Sequence, residues 1–155
     1  SPTDFAFNHP AGSLGKKLTL TAADLMVATD KLHRLKPHTP FQEVISGLTR
    51  DGIGSGWVED PNNPGCLLGI ITDGDLRRAL RNHPAEKWAS MKAIDLMTTD
   101  PITVDADLLV VEAIKQMECN HRKPISVLPV VGPDSSGSQF LGLLRLHDLV
   151  QAGLT

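Results

Sequence analysis

The densest run of chemically capable side chains lies between Gly69 and Arg78, which reads Gly-Ile-Ile-Thr-Asp-Gly-Asp-Leu-Arg-Arg. An apolar strand over 67–71 ends at Thr72 and turns straight into a helix, so a hydroxyl and the first unpaired backbone N–H groups point at one spot. Such a junction suits an anion or a sugar hydroxyl. The Asp75 carboxylate, one turn into the helix, can accept from two vicinal hydroxyls and so suits a ribose. A phosphate set directly on Asp73 and Asp75 would meet like charge. The sugar is therefore expected at Asp75, with the phosphate nearer Thr72, the helix start or a basic group. Arg77, Arg78, Arg122, Lys123 and Arg145 are the basic candidates, and His121 and His147 can donate near neutral pH. The local sequence also allows Thr72 and Asp73 simply to cap the helix, and Asp73 is expected mainly to do so.

The elements that position these residues occur twice. Asp24-Leu25-Met26 returns as Asp95-Leu96-Met97, a shift of 71. Each tripeptide precedes a short extended stretch and an apolar stripe at i, i+3, i+4, i+7: Phe41, Val44, Ile45, Leu48 and then Val110, Ala113, Ile114, Met117. Thr39 with Pro40 and Gln42 predicts a capping box on the first helix. Asp107 is the expected cap of the second. Residues 52–59 align with 124–131, and Gly69–Leu76 with Gly142–Leu149 at a shift of 73. In the second copy Arg145 replaces the threonine and His147 replaces Gly74, while Asp148 is kept. That asymmetry predicts at most one site of the hydroxyl type per chain, with Arg145 and His147 suited to a carboxylate or phosphate.

Each copy thus reads strand, helix, strand, strand, helix. The turn-forming runs 60–65 and 132–137 are the matching strand-to-strand loops. A half of this size buries little core alone, so the two should pack on each other. The fold class expected is α/β (α+β), with two pseudo-symmetric β-α-β-β-α repeats at 22–83 and 95–155. A connection at 84–94 would join them, and a preceding segment at 1–21 stands apart.

The repeated pattern resembles a tandem pair of CBS domains, a Bateman module, over roughly 22–153. The Gly-hydrophobic-hydrophobic-Thr-x-x-Asp signature is complete only at Gly69–Asp75. Residues 72–78 and the segment His9-Pro10-Ala11-Gly12-Ser13-Leu14-Gly15-Lys16-Lys17-Leu18 further resemble the arabinose-5-phosphate isomerase family. There a sugar isomerase (SIS) domain precedes two CBS domains, and the joint usually reads His-Pro-Gly-Gly where this chain has Ala11. The resemblance implies that residues 1–21 are a remnant of that joint and that the chain is the regulatory tail of an isomerase. The start at Ser1, without Met, fits an excised piece. His9 would be catalytic only in the full-length parent, at a sugar-phosphate site calling for an imidazole. The parent reaction implied interconverts arabinose 5-phosphate and ribulose 5-phosphate and feeds synthesis of an acid sugar of bacterial lipopolysaccharide.

The same resemblance points to a ligand cleft recruiting Arg122, Lys123 or Ser126, ahead of the second copy's middle strand, and Thr103, whose first-copy counterparts are Leu35 and Lys36. AMP, ATP or a CMP-linked acid sugar is the expected regulatory ligand. No cofactor is required. Self-association as a dimer, within a tetrameric parent, is also implied. The alternative is a ligand-free dimerisation module of the same enzyme.

Composition narrows the remaining classes. The 155 residues carry 15 Lys+Arg against 18 Asp+Glu, a formal charge of -3, so no basic field exists to hold nucleic acid. No apolar run approaches the roughly 18 residues of a membrane span. No signal-peptide block opens the chain, so a cytoplasmic protein is expected. Cys66 and Cys119 lack metal-ligand spacing and are expected to be reduced packing residues. No metal site is expected, nor can a nucleophile with its base be assembled. Trp57 and Trp88 are expected in core or interface packing rather than base stacking. His33, His38 and His83 are expected on the surface or in loops.

Overall fold

A computed structural model describes residues 18–50, 52–119, 125–134 and 137–155. The first repeat contributes α1 (Ala22–Leu25), β1 (Val27–Ala28), β2 (His33–Leu35), α2 (Phe41–Arg50), β3 (Ser55–Glu59), β4 (Leu67–Thr72) and α3 (Asp73–Asn82). A single-turn α4 (Ala85–Trp88) lies in the connection. The second repeat contributes α5 (Ala93–Leu96), β5 (Thr98–Thr99), β6 (Val104–Asp105), α6 (Val110–Glu118), β7 (Val127–Asp134), β8 (Gly137–Arg145) and α7 (Leu146–Gln151).

Two four-stranded sheets result, with the matching orders β2-β3-β4-β5 and β6-β7-β8-β1. Within each, a crossover helix joins a parallel pair, β2 to β3 or β6 to β7, as a parallel connection requires. A hairpin then makes the antiparallel pair, placing Ser55 opposite Thr72 and Val127 opposite Arg145. The fourth strand of each sheet comes from the other repeat. β5 pairs with β4, Gly69 facing Thr99, and β1 pairs with β8, Gly142 facing Ala28. Both signature glycines stand where this visiting strand crosses closest. A methyl at Gly69 would sit 2.7 Å from the Thr98 carbonyl oxygen, and one at Gly142 would fall on the carbonyl oxygen of Val27.

The cores follow the exchange. Leu35, Phe41, Val44, Leu48, Val58 and Ile71 of the first repeat pack with Met91, Ala93 and Leu96. Val104, Val110, Ala113, Met117, Leu128 and Leu144 of the second pack with Ala22, with Leu25 and Met26 at the edge. A third cluster, Leu32, Trp57, Ile70, Phe140 and Leu143, joins the sheets.

The exchange also corrects two expected helix caps. α2 begins at Phe41, not under Thr39: the Thr39 hydroxyl oxygen accepts from the Lys36 N–H at 3.1 Å, and the Phe41 N–H donates to the Met91 carbonyl at 3.0 Å. Likewise Asp107 lies in a turn ahead of α6, which starts at Val110 and whose first N–H donates to Leu20 O at 2.8 Å. Backbone carbonyls of the exchanged segments thus satisfy helix N–H groups that the sequence assigned to side chains.

Cys66 is buried but Cys119 is exposed, so the packing role holds only for Cys66. Trp57 is buried against Phe140, ring centroids 4.8 Å apart. Trp88 is half-buried and donates from Nε1 to His83 O at 3.0 Å.

Candidate functional site

A cleft of about 1130 Å³ opens between the repeats, with walls from both. Its first wall is the β4–α3 junction. Thr72 is the N-cap of α3 in a capping box: its hydroxyl oxygen accepts from the Asp75 N–H at 3.3 Å, and Asp75 Oδ2 accepts from the Thr72 N–H at 2.9 Å. Oδ2 also accepts from the Thr72 hydroxyl at 3.2 Å. Asp75 Oδ1 accepts from Arg78 Nη2 and, at 3.1 Å, from the Thr98 hydroxyl on the visiting β5. Asp75 is one of two buried polar side chains among the described residues, and it lines the cleft.

Capping is therefore done by Thr72 with Asp75, not by Asp73. Asp73 donates its backbone N–H to Gly54 O at 3.0 Å, and its carboxylate lies over Gly54, leaving no room for a side chain there. The cap needs a carboxylate three residues past it, a spacing Asp75 has and Asp73 lacks. The same geometry recurs at Asp24, whose Oδ2 accepts from the Thr21 N–H and hydroxyl, and at Asp95, which accepts from the Lys92 N–H. This explains the aspartate of each Asp-Leu-Met tripeptide.

The opposite wall comes from the second repeat. Arg145 ends β8 and donates from Nε to Asp148 Oδ2 and from Nη2 to Asp148 Oδ1, each at 2.8 Å. Its Nη1 crosses to the first repeat and donates to Ile53 O at 2.9 Å. Ser126 and His147 also face the cleft.

Of the expected contacts, Thr72, Asp73, Asp75, Arg77, Arg78, Ser126, Arg145 and His147 are brought to one cleft. Asp148 stands behind Arg145 and does not line it. Thr103 is exposed on the stretch before β6 and does not line it; the chain passes there from Ile102 on the cleft to Val104 in the second core. Its counterpart Leu35 is buried in the first core. His9, His121, Arg122 and Lys123 lie outside the described residues.

Sequence reasoning missed Thr98, Asp100, Pro101 and Ile102, which line the cleft because β5 crosses into the first sheet. Asp100 has φ 50, a left-handed conformation uncommon outside glycine, asparagine and aspartate. The available signal was the Asp100-Pro101 dipeptide as a turn marker, although the residue before a proline ordinarily takes an extended conformation rather than this one.

No helix among the described residues is long and apolar enough to cross a membrane. No group of three or more His, Cys, Asp or Glu among them is disposed to hold a metal.

Comparison with known proteins adds three findings. The arabinose 5-phosphate isomerase KdsD of Francisella tularensis is 35% identical over 155 residues, covering 99% of this chain and 44% of that protein. KdsD of Pseudomonas aeruginosa is 38% identical over 151 residues, covering 97% and 43%. The chain therefore spans less than half the length of these relatives. Among solved structures, CBSX2 in complex with AMP has 26% identity and a TM-score of 0.65, over 86% of this chain and 96% of that one. A CBS domain-containing protein from Bacillus anthracis matches at 17% identity and a TM-score of 0.69, over 89% and 95%. The CBS domain family model matches residues 22–82 and again 93–155. With two exchanged sheets, a cleft between them and a family match over each repeat, this chain belongs to the CBS domain family as a tandem pair.

Proposed function

We propose that this CBS pair binds a nucleotide or nucleotide-sugar in the inter-repeat cleft and thereby regulates an attached sugar-phosphate isomerase. The reaction proposed for the whole protein is interconversion of arabinose 5-phosphate and ribulose 5-phosphate, in acid-sugar synthesis for lipopolysaccharide, in the cytoplasm. The observation that carries the reading is the cleft itself, where a buried carboxylate, a hydroxyl and guanidinium groups from two repeats face one space. The AMP complex of CBSX2 supports a nucleotide-type ligand, and a CBS pair of MJ0100 was solved with 5'-methylthioadenosine and S-adenosylmethionine. The KdsD relatives support the isomerase assignment.

In this reading the ribose hydroxyls donate to Asp75 Oδ1 and displace Arg78, whose side chain is 44% exposed and can swing out toward the phosphate. Arg77 and His147, which line the same cleft, complete the anion contacts. Arg122 and Lys123 would add positive charge to the same ligand. Catalysis belongs to the remainder of the longer protein, with His9 serving there. Regulation follows from different ligand affinities for two arrangements of the repeats. CBS pairs dimerise in this proposal, two such dimers serving a tetrameric parent.

A calorimetric panel of AMP, ATP, CMP and a CMP-linked acid sugar tests the reading, with saturable binding of at least one expected. Silence across the panel from a dimeric protein would overturn it in favour of a ligand-free assembly module. One observation favours that second reading: every oxygen of Asp75 and Asp148 already accepts a hydrogen bond from within the chain. Turnover of arabinose 5-phosphate by this chain alone would contradict the placement of catalysis elsewhere.

A further inference from the structure

Internal symmetry gives the cleft two equivalent positions, and they are not alike. At the first, Asp75 lines the space and Asp100, Pro101 and Ile102 complete its wall. At the second, Asp148 does not line the space. Nor do Thr29, Asp30 and Lys31, the counterparts of Asp100, Pro101 and Ile102 at the 71-residue shift.

Arg145 stands in that place. Its planar fork grips both oxygens of Asp148 and reaches Ile53 O across the repeat boundary, three charge-assisted bonds from one side chain that is only 17% exposed. Arg78, the guanidinium at the first position, holds its aspartate by one nitrogen and is 44% exposed. At Asp75 a sugar hydroxyl has to displace only the single bond from half-exposed Arg78, leaving Thr98 in place, whereas at Asp148 it meets a bidentate guanidinium that is also tied to Ile53 O.

We infer that Arg145 is a resident occupant of the second repeat's ligand position, so that the chain takes one nucleotide-type ligand rather than two, at the Thr72–Asp75 end. This rests on the nucleotide reading of the cleft. The guanidinium does for Asp148 what ribose hydroxyls would do for Asp75, and its bond to Ile53 ties the repeats together without a second ligand.

Titration calorimetry of AMP, ATP, CMP and a CMP-linked acid sugar against the unaltered chain and against Arg145→Thr tests the inference. Threonine restores the residue of the first repeat and can cap α7 as Thr72 caps α3, and Arg145→Ser serves if the first variant unfolds. Melting curves by circular dichroism establish that the variant is folded. One site per chain is expected in the unaltered protein and two in the variant. One site in both overturns this inference alone, as do two sites in the unaltered chain. None in the unaltered chain and one in the variant overturns the single site at the Thr72–Asp75 end, and with it the inference as stated, leaving only the occupant role of Arg145. None in either overturns both. Independently of any variant, a nucleotide located against Asp148 in a complex of the unaltered chain would overturn it.

Discussion

Asp75 serves the fold and the cleft with different oxygens. Oδ2 completes the α3 cap, and Oδ1 faces Arg78 and Thr98. Thr72→Ala removes the hydroxyl half of the box and is expected to cost about 0.5–2 kcal/mol, read from the urea midpoint. Asp75→Ala is expected to weaken a ribose-containing ligand by about 1–3 kcal/mol. Unchanged affinity in a folded variant would leave Asp75 a cap alone. Two further aspartates, exposed Asp24 and half-buried Asp60, report the same chemistry through pH. The Thr21 backbone N–H, aided by its hydroxyl, holds the Asp24 carboxyl below the usual aspartate range, and the Asn62 backbone N–H with the Asn63 side chain does so for Asp60. A folded pKa below the unfolded one contributes stability above the unfolded value, lost as pH falls through the folded one. NMR titration should therefore place both midpoints below that of an unstructured aspartate, and a midpoint at or above it would contradict the bonding described.

At the scale of elements, the visiting strands β1 and β5 are short, and the sheet opposite each must let the backbone come close. Gly142 and Gly69 provide that approach. Gly142→Ala sets a methyl against the Val27 backbone rather than a side chain that can move aside. The expected cost is about 1–3 kcal/mol in chemical denaturation, by overpacking. It should be accompanied by faster amide exchange in β8 opposite Val27 and Ala28. A neutral substitution there would mean that β1 is not held against β8. Gly47 is a third tight point, where any side chain would meet the His33 ring.

For the whole molecule, strand exchange makes the repeats interdependent. The first core needs Met91, Ala93 and Leu96, and the second needs Ala22. A fragment ending at residue 83 keeps the whole first sequence repeat but loses β5, α5 and part of its core. It is expected to show no cooperative thermal transition by circular dichroism, whereas mixing it with 84–155 should restore one. A cooperative melt of the first fragment alone would show that the repeat, not the exchanged half, is the folding unit.

The sequence by itself determined the twofold pattern, the apolar faces of α2 and α6, the β4–α3 junction and eight of the twenty residues that line the cleft. These are local matters of periodicity and spacing, written within a few residues. It also registered that Arg145 breaks the pattern of the first repeat. Only the tertiary structure decided which strand lies beside which, because β1 and β5 are two residues long and carry too little pattern to choose a partner. That choice moved the caps of α2 and α6 from Thr39 and Asp107 to distant carbonyls, brought Thr98 to Asp75 and put Asp100–Ile102 on the cleft wall. It also carried Arg145 to Ile53 O, 92 residues away along the chain. Long-range pairing depends on the fit of two backbones in space, and no local run of residues records it.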